Sequence, residues 1–569
     1  MATRSEWRVE RTEATGAGGM VASKTAHASE AGAAVLARGG NAIDAAVTTA
    51  FVAGVVEPWM NGLGGGGYLV ARLADRNETV VVEYPVIAPL GATPDMYTPM
   101  PKGAPASYHW DAMVDDANVI GHRSVSVPGT VAGLALALER YGTISLAEAI
   151  APAIVLAEEG FAVGWETSLW ISRDHANLSR YAETRKIFCD GGGSPLFAKG
   201  ADGFPTLRQT ELAATLRTIA DQGPRAFYEG EFAQKAVAHL SEHGAPYALD
   251  DFARYQATVS PALRVPYRGR DVWTTSGPTG GTTLAQSLLL LNGFELDRLD
   301  HNGAELLHLM AEAFRIAYAD RYAYFADPSQ VETPFETVLS KDYLDQRRSE
   351  ITDRAVDHQP GDRAALGLRH ALEMTPADAS RGGCTTHLSV SDRFGNAVSL
   401  TQTLLNGFGS RVIIPGTGVL MNNGMMWFDP VPGRANSIAG GKLGLSNMAP
   451  LVVTQNGRAM AAIGSSGGRR IMNCNAELAM SVIDHGASIQ EAVSAPRIDA
   501  STPDLLVDDR IPETTRAELR RRGHVVVSCD ERQLFWEFAS PACTEIRPDG
   551  THAGGVDPLY FLASAIGVD

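Results

Sequence analysis

The stretch Arg381-Gly-Gly-Cys-Thr-Thr-His-Leu-Ser-Val390 opens a segment in which two β-rich runs flank a short turn. The first run covers residues 385–392 and the second covers residues 397–403. The four residues between them, Arg393-Phe-Gly-Asn396, have the composition of a hairpin turn. The sequence therefore predicts an antiparallel β-hairpin in the second half of the chain.

The register of this hairpin brings two threonines together. Opposed residues in an antiparallel pair keep a constant sum of positions, so pairing Leu388 with Leu400 places Thr385 opposite Thr403. A threonine at a strand start, supported by a second hydroxyl across the ladder, is suited to act as a nucleophile. Strands also favour threonine for packing alone, so the pair taken by itself favours an ordinary cross-strand contact, and the surrounding motifs are needed to favour a nucleophile.

Motifs in the same order along nearly the whole chain resemble the γ-glutamyltransferase family. They are Gly39-Gly-Asn-Ala-Ile-Asp-Ala-Ala46, Glu57-Pro58, Gly62-Leu-Gly-Gly-Gly-Gly-Tyr68, Val127-Pro-Gly-Thr-Val-Ala-Gly133, Ala317-Tyr-Ala-Asp-Arg321, Thr385-Thr-His387, Asn422-Asn423, Ser446-Asn-Met-Ala-Pro450 and Gly464-Ser-Ser-Gly-Gly468. The resemblance implies an α+β fold, the four-layer αββα sandwich of the N-terminal nucleophile hydrolases. It also implies a proenzyme cleaved between Cys384 and Thr385. The segments 1–384 and 385–569 would then form one intertwined domain.

Composition narrows the possible functions. The chain has 569 residues, of which 45% are hydrophobic, and a formal net charge of −17, which disfavours binding to nucleic acid. Its 5 cysteines form no CxxC pair, so neither a disulfide framework nor a metal site is expected. No apolar run is long enough for a membrane span, and the charged N-terminus lacks the apolar core of a signal peptide. We therefore expect a cytoplasmic protein without cofactor, whose partners are a small-molecule amide and the segments of its own precursor.

Local patterns predict further elements on both sides of the hairpin. Helices are expected over residues 26–38, 41–56, 306–324 and 470–483, and strands over 68–72, 79–83, 451–454 and 460–463. The stretch 357–381 mixes charges with Gly and Ala, and we expect it to be a mobile segment that ends at the cleavage site.

A freed Thr385 would carry its own base, because an α-amine has a pKa near 7.7–8.0. To free it, we expect the Thr385 hydroxyl to attack the Cys384 carbonyl, and Gly382-Gly383 would let the backbone adopt the geometry that this attack needs. The family resemblance implies that Thr403 hydrogen-bonds the nucleophile.

The motif 464–468 allows two interpretations. It satisfies Gly-x-Ser-x-Gly between a predicted strand and a predicted helix, which is the context of a nucleophile elbow with Ser466 as nucleophile and His524 or His552 as its partner. The family resemblance implies instead that the Gly467 and Gly468 amides form an oxyanion hole.

The motif 62–67 matches Gly-x-Gly-x-x-Gly, but it precedes a predicted strand instead of opening a helix. We expect a tight turn near the site and no bound nucleotide.

The sequence departs from the family where that family holds the α-amino and α-carboxylate groups of a γ-glutamyl substrate. Pro85 stands in place of an arginine, Leu405 in place of an asparagine, Gly424 in place of a glutamine and Trp427 in place of an aspartate, while the Ser-Ser pair becomes Ser446-Asn447. A charged group entering such a pocket would lose hydration without compensation. Arg411 is a candidate replacement anchor for a carboxylate, although an exposed arginine at a strand end is the simpler interpretation.

These features predict an autoprocessed N-terminal threonine amidohydrolase or acyltransferase that acts on an acyl group other than simple γ-glutamyl, by analogy with the cephalosporin-acylase branch. Three alternatives stay open: a γ-glutamyl hydrolase or transpeptidase acting on glutathione, a serine hydrolase using Ser466, and a non-catalytic binding protein on the same scaffold.

Overall fold

The computed structural model describes residues 9–101, 110–197, 203–368, 383–532 and 537–569. Helices in this part of the chain are Ala26–Ala37, Ala42–Val56, Thr130–Tyr141, Leu146–Glu159, Trp165–Leu178, Ala182–Phe188, Thr210–Gln222, Arg225–Glu229, Glu231–Glu242, Leu249–Ala253, Gly280–Leu291, Ala304–Tyr324, Lys341–Arg348, Ile471–Ile483, Ile489–Ser494 and Glu513–Arg522. No helix of the described residues has both the length and the apolar character needed to cross a bilayer.

A central sheet combines strands from both halves of the chain. Its order among the described residues is Ser564–Val568, Gly19–Ser23, Cys384–Asp392, Ala397–Leu405, Gly66–Leu73, Glu78–Tyr84 and Thr258–Pro261. Neighbouring strands are antiparallel throughout. The predicted hairpin therefore lies in the middle of this sheet, between strands from the N-terminal third of the chain.

A second sheet packs against the first. Its order is Ala14–Gly16, His552–Val556, Ser540–Ile546, Arg458–Ile463, Leu451–Gln455, Arg270–Thr274 and Leu263–Tyr267, and the short strand Ser465–Ser466 pairs with Ser540–Ile546. Smaller sheets are formed by Ile498–Asp499, Leu505–Asp508 and Val526–Cys529, and by Phe161–Ala162 and Thr206–Leu207.

Side-chain alternation separates the layers of the sandwich. In strand Gly66–Leu73, Leu69 belongs to a core shared with helix Ala42–Val56, while Tyr68 and Val70 belong to a cluster between the two sheets. On the far side, helices including Gly280–Leu291 cover the second sheet with a separate apolar core. The result is the predicted α+β sandwich of four layers, αββα.

The predicted elements are confirmed with small shifts at their ends. Helices 26–38, 41–56, 306–324 and 470–483 and strands 68–72, 79–83, 451–454 and 460–463 each match an observed element. The glycine motif 62–67 leads into strand Gly66–Leu73, in the order that argues against a dinucleotide site. Of the predicted mobile segment 357–381, residues 369–381 lie outside the described part of the chain, as does Gly382.

Asp392 fixes the hairpin turn and joins it to a helix. Its Oδ1 atom accepts hydrogen bonds from the amides of Phe394 and Asn396, at 2.9 and 3.0 Å. Its Oδ2 atom accepts one from the Ala42 amide at 2.7 Å, at the start of helix Ala42–Val56. This helix ends beside the open end of the hairpin, where Glu57 is its C-cap.

Candidate active site

The hairpin forms in the predicted register except at its open end. Leu388 lies opposite Leu400, and the same register continues to Thr386. The register then shifts, so the predicted direct pairing of Thr385 with Thr403 is wrong. This shift is a local irregularity in the strand pairing, and such an irregularity changes the direction of the side chains at the start of the strand.

The Thr403 hydroxyl contacts the bond predicted to be cleaved. It donates a hydrogen bond to the Cys384 carbonyl oxygen at 2.6 Å and accepts one from the Leu405 amide at 2.7 Å. In the uncleaved chain, Thr403 therefore hydrogen-bonds the carbonyl that Thr385 would attack. A donor in that place stabilises negative charge that develops on the carbonyl oxygen.

Thr385 lines a cleft of about 510 Å³. The other described lining residues are Met60, Trp170, Arg173, Asp174, Gly383, Cys384, Asn406, Gly407, Phe408, Arg411, Ser466, Gly467, Arg470, Glu537, Phe538, Ser540 and Tyr560. Three arginines and two acids thus share the walls with aromatic side chains. Such a cleft suits a small ligand with an apolar body and an anionic group.

Arg411 is part of this wall, and the expectation of an exposed arginine is wrong. The residue is only 5% exposed. Its Nε atom lies 2.7 Å from Asp174 Oδ2, and its Nη1 atom donates to the Gly409 carbonyl at 2.6 Å. These contacts fix the guanidinium in the wall of the cleft that Thr385 also lines.

The turn that carries Arg411 has an unusual backbone. Leu405, Phe408 and Arg411 have φ values of 86°, 55° and 65°, in the region that non-glycine residues rarely adopt. Each such residue costs on the order of 1–3 kcal/mol, and strain of this kind is concentrated at functional sites. The turn holds this shape because neighbouring contacts, such as that of Arg411 with Asp174, favour it.

The glycine loop borders the same cleft. Gly467 has φ 149° and lines the cleft, and Gly468 has φ 62° and begins a 3-10 turn. A Cβ atom on Gly467 would lie 2.8 Å from Ala539 Cα, so only glycine fits there. Ser466 also lines the cleft, and its hydroxyl lies 3.3 Å from the Ser540 carbonyl oxygen, to which it donates.

Neither predicted histidine partner of Ser466 lies in the cleft. His524 hydrogen-bonds His308, with 2.8 Å between His524 Nε2 and His308 Nδ1, and His552 Nδ1 lies 2.8 Å from the Ser391 hydroxyl. The geometry therefore does not form the triad that a serine elbow would need.

The other predicted substrate-binding residues lie outside the described lining of the cleft. Leu405 and Trp427 pack in the cluster between the sheets. The Pro85 carbonyl accepts a hydrogen bond from the Tyr255 hydroxyl, and the Gly424 amide donates one to the Asn422 side chain. The Ser446 carbonyl and Asn447 Oδ1 both accept hydrogen bonds from the Arg321 guanidinium. Their role in substrate binding stays a prediction.

A buried carboxylate supports strand Cys384–Asp392, and the sequence motifs alone gave it no role. Glu57 accepts hydrogen bonds from the Thr386 hydroxyl at 2.5 Å and from the Tyr560 hydroxyl at 2.9 Å. Burial raises the pKa of Glu57 to about 7, although these hydrogen bonds and nearby Lys24 oppose the rise. The residue next to Thr385 is thus anchored to a group that titrates near neutral pH.

Lys24 brings a buried cation to the same region. Its ammonium donates to the backbone and hydroxyl oxygens of Ser540 and lies 3.9 Å from the centre of the Tyr560 ring. Burial lowers the pKa of Lys24 to about 8, partly offset by the charges of Asp557 and Glu57. Ser540 and Tyr560 both line the cleft, so this buried cation supports the wall behind it.

The raised pKa of Glu57 predicts the direction in which folding stability changes with pH. Folding raises the pKa from 4.5 to about 7, so the folded protein retains a proton that the unfolded chain releases, and stability falls as pH rises through this window. The Glu57→Gln variant, which stays neutral, should therefore gain roughly 2–3 kcal/mol relative to wild type between about pH 5 and pH 8. Urea unfolding at the two pH values measures this change.

A matched control is Glu305→Gln, which removes an exposed carboxylate in the first turn of helix Ala304–Tyr324. Its stability difference from wild type should be nearly the same at both pH values. If the stability difference between Glu57→Gln and wild type were also the same at both pH values, Glu57 would not hold a proton in the folded state.

Comparisons with known proteins agree with this fold. The family model described as Gamma-glutamyltranspeptidase matches residues 28–558. The chain is 38% identical over 527 residues to an acylase ACY 1 proenzyme from Pseudomonas sp. (strain V22), covering 92% of this chain and 90% of the relative. It is 35% identical over 515 residues to a glutathione hydrolase proenzyme from Bacillus subtilis (strain 168), covering 90% and 85% of the two chains.

A solved structure shares the whole fold. The crystal structure of cephalosporin acylase from Bacillus halodurans superposes with a TM-score of 0.86 at 26% identity, covering 100% of this chain and 99% of that chain. The family match spans most of the sequence, and these relatives are named as acylases and as a glutathione hydrolase. The chain therefore belongs to the gamma-glutamyltranspeptidase family and is a hydrolase or acylase of that family.

Proposed function

We propose that this protein cleaves itself before Thr385 and then uses Thr385 to hydrolyse amides whose acyl group carries a carboxylate in a setting other than γ-glutamyl. The observation that carries the proposal is the position of Thr385, at a strand start within the cleft and next to a carbonyl that Thr403 hydrogen-bonds. Relatives named as proenzymes support the processing step.

Self-cleavage begins with attack of the Thr385 hydroxyl oxygen on the Cys384 carbonyl carbon. A C–O bond forms while the C–N bond of the peptide breaks, and the threonine nitrogen takes the proton, which gives an ester and a free amine. Hydrogen bonding from Thr403 stabilises the charge that forms on the carbonyl oxygen during this shift. Water then hydrolyses the ester, leaving a carboxylate on Cys384 and a hydroxyl on Thr385.

Turnover repeats the same chemistry on a substrate. The new α-amine takes the Thr385 hydroxyl proton, and the oxygen attacks the amide carbon. The Gly467 and Gly468 amides stabilise the oxyanion, and such donors are worth roughly 3–4 kcal/mol. The amine product leaves with the proton, and water attacks the acyl ester to restore the threonine.

The acyl group is selected by the charged wall of the cleft. Arg173, Arg411 and Arg470 line it with Asp174 and Glu537, and arginine is the side chain best suited to bind a carboxylate through two hydrogen bonds. The name cephalosporin acylase supports an amide on a bulky amine as substrate. Because other relatives are named glutathione hydrolases, hydrolysis of γ-glutamyl amides is the second candidate.

The processing step is tested with Thr385→Ala. Without the attacking hydroxyl the chain should stay intact and inactive, whereas wild type should give two fragments, 1–384 and 385–569. Intact-mass measurement of both proteins reads the cleavage directly. Thr385→Ser is the matched control, since it keeps the hydroxyl and should still be processed. A Thr385→Ala protein cut at the same bond would disprove the mechanism.

The serine alternative is tested with Ser466→Ala. This variant should still be processed and should keep kcat/KM within about 10-fold of wild type, because backbone amides of the loop supply the stabilisation. The Ser466 hydroxyl contributes one hydrogen bond to the Ser540 carbonyl, worth on the order of 1 kcal/mol. Normal fragments with activity lost by a factor of about 10³ or more would favour Ser466 as the nucleophile.

Substrate choice is tested with three amides of one chromogenic amine, carrying a γ-glutamyl, a dicarboxylic or a neutral acyl group. We expect the dicarboxylic monoamide to have the highest kcat/KM and the γ-glutamyl amide to be slower by about 10² to 10⁴, the cost of two missing charge-assisted hydrogen bonds. Arg411→Met should lower the ratio of dicarboxylic to neutral turnover by about 10- to 100-fold. Because both substrates are measured on the same variant, a loss of folded protein lowers both kcat/KM values equally and leaves their ratio unchanged. A γ-glutamyl amide that is the best of the three would favour the second candidate function.

A further inference from the structure

A buried lysine lies behind the wall of the cleft, and the proposed chemistry gives it no role. Lys24 directly follows strand Gly19–Ser23 and is only 1% exposed. Its ammonium donates hydrogen bonds to the Ser540 hydroxyl and, at 3.2 Å, to the Ser540 carbonyl oxygen. The face of the Tyr560 ring, whose centre lies 3.9 Å from Nζ, is a third acceptor. The three protons of the ammonium therefore each have a partner.

A second buried lysine shows how an ammonium with a purely structural role is bound. Lys442 is 3% exposed and donates to the carbonyl oxygens of Ala435 and Ser437, at 2.8 Å each. Neither acceptor belongs to the described lining of the cleft. Lys24 differs because one of its acceptors is the side-chain hydroxyl of a residue that lines the cleft.

The contact with Lys24 decides the direction of the Ser540 hydroxyl proton. An ammonium has no lone pair, so the Ser540 oxygen accepts from Lys24 and its own proton points elsewhere. Burial lowers the pKa of Lys24 to about 8, and the charges of Asp557 and Glu57 oppose the fall, so the ammonium form persists at pH 7. Among the described residues, the Ser540 hydroxyl has no acceptor within hydrogen-bond distance. A ligand oxygen in the cleft can supply one.

Ser540 is next to the glycine loop. It lies opposite Ser466 in a short antiparallel strand pair. Ser466 precedes Gly467, and Ala539, which precedes Ser540, packs so closely on Gly467 that a Cβ atom there would lie 2.8 Å from the Ala539 Cα. Ser540, Ser466, Gly467 and Thr385 line the same cleft. Ser540 is therefore on the side of the cleft where negative charge develops during turnover.

We propose that Ser540 is a third oxyanion donor and that Lys24 is the positioning residue that orients its hydroxyl. This role rests on the proposed function, in which the Thr385 oxygen bonds to the acyl carbon and the carbonyl oxygen takes the π electron pair. The Ser540 proton donates to that oxygen beside the amides of Gly467 and Gly468, and the ammonium behind it polarises the donor. No proton is transferred, so Ser540 is unchanged when the oxygen forms a carbonyl again.

The first test is Ser540→Ala in the full-length chain, assayed at pH 7 with the dicarboxylic monoamide. Fragments 1–384 and 385–569 should form as in wild type, because Thr403 already donates to the Cys384 carbonyl oxygen in the uncleaved chain. We expect kcat to fall by about 10- to 100-fold while KM stays within about 3-fold, since the lost hydrogen bond strengthens in the transition state. Ser540→Thr retains a hydroxyl and should keep kcat within about 5-fold of wild type.

A boronic acid distinguishes the oxyanion from the bound ground state. Benzeneboronic acid adds to a threonine hydroxyl to give a tetrahedral anion, whereas the carboxylate product binds without forming one. Ser540→Ala should raise the inhibition constant of the boronic acid by about the factor lost from kcat, and that of the product by less than about 3-fold. A change that only disturbed the shape of the cleft would weaken both inhibitors.

The orienting step is tested with Lys24→Met, and Lys442→Met is the matched control for loss of a buried ammonium. Below the melting temperature of each variant, Lys24→Met should lower kcat by about 5- to 50-fold and Lys442→Met by less than about 3-fold. Because Lys24 acts through Ser540, the double variant Lys24→Met/Ser540→Ala should have a kcat within about 3-fold of Ser540→Ala alone. Two independent disturbances of the fold would instead give losses that multiply.

The outcomes separate this role from the proposed function. Wild-type protein that stays uncut, or that is cut but does not hydrolyse any of the amides, would contradict both. An active wild type beside a Ser540→Ala variant with kcat within about 3-fold, or losses that multiply in the double variant, would overturn the Ser540–Lys24 role alone. A Ser540→Ala loss above about 10⁴-fold with normal fragments would also overturn it, because Ser540 would then be a nucleophile with Lys24 as its base.

Discussion

The structure depends on the pairing of one strand, Cys384–Asp392, with partners on both sides. Gly19–Ser23 pairs with one edge and Ala397–Leu405 with the other, so the strand cannot move without disrupting the sheet. Because side chains alternate along a strand, this register decides which way each of the two adjacent threonines points. A shift of one residue would exchange Thr385 for Thr386 in the cleft, and the buried contact of Thr386 with Glu57 opposes that shift.

Burial of ionisable groups behind strand Cys384–Asp392 costs folding free energy, and hydrogen bonds to those groups offset part of that cost. Glu57 and Lys24 are both fully enclosed, and each has a pKa displaced toward its neutral form. Two ionisable groups whose environments bring their pKa values toward neutrality are more typical of functional sites than of apolar cores. Their contacts reach Thr386 and Ser540, so strand Cys384–Asp392 and a wall of the cleft are supported by the same buried pair.

The parts of the site that follow from local pattern could be predicted from the sequence. The hairpin, its register up to Thr386 and the glycine loop depend on strand alternation and turn chemistry, which neighbouring residues reveal. The irregularity beside Thr385 could not be predicted, because it depends on contacts between the hairpin and the rest of the fold. The Glu57–Tyr560 contact joins residues 503 positions apart, so spacing gave no signal for it.

The turn that lines the cleft was less predictable than strand Cys384–Asp392 for a physical reason. Three non-glycine residues with positive φ send the chain between Leu405 and Arg411 through a path that single-residue preferences disfavour, so sequence patterns assign it no direction. That path turns the Leu405 side chain into the layer between the sheets and brings Arg411 into the cleft. The strands that hold Thr385 and the turn that brings Arg411 into the cleft are therefore stabilised by different contacts. Substitutions in the turn can change the pocket while the register of the strands stays fixed.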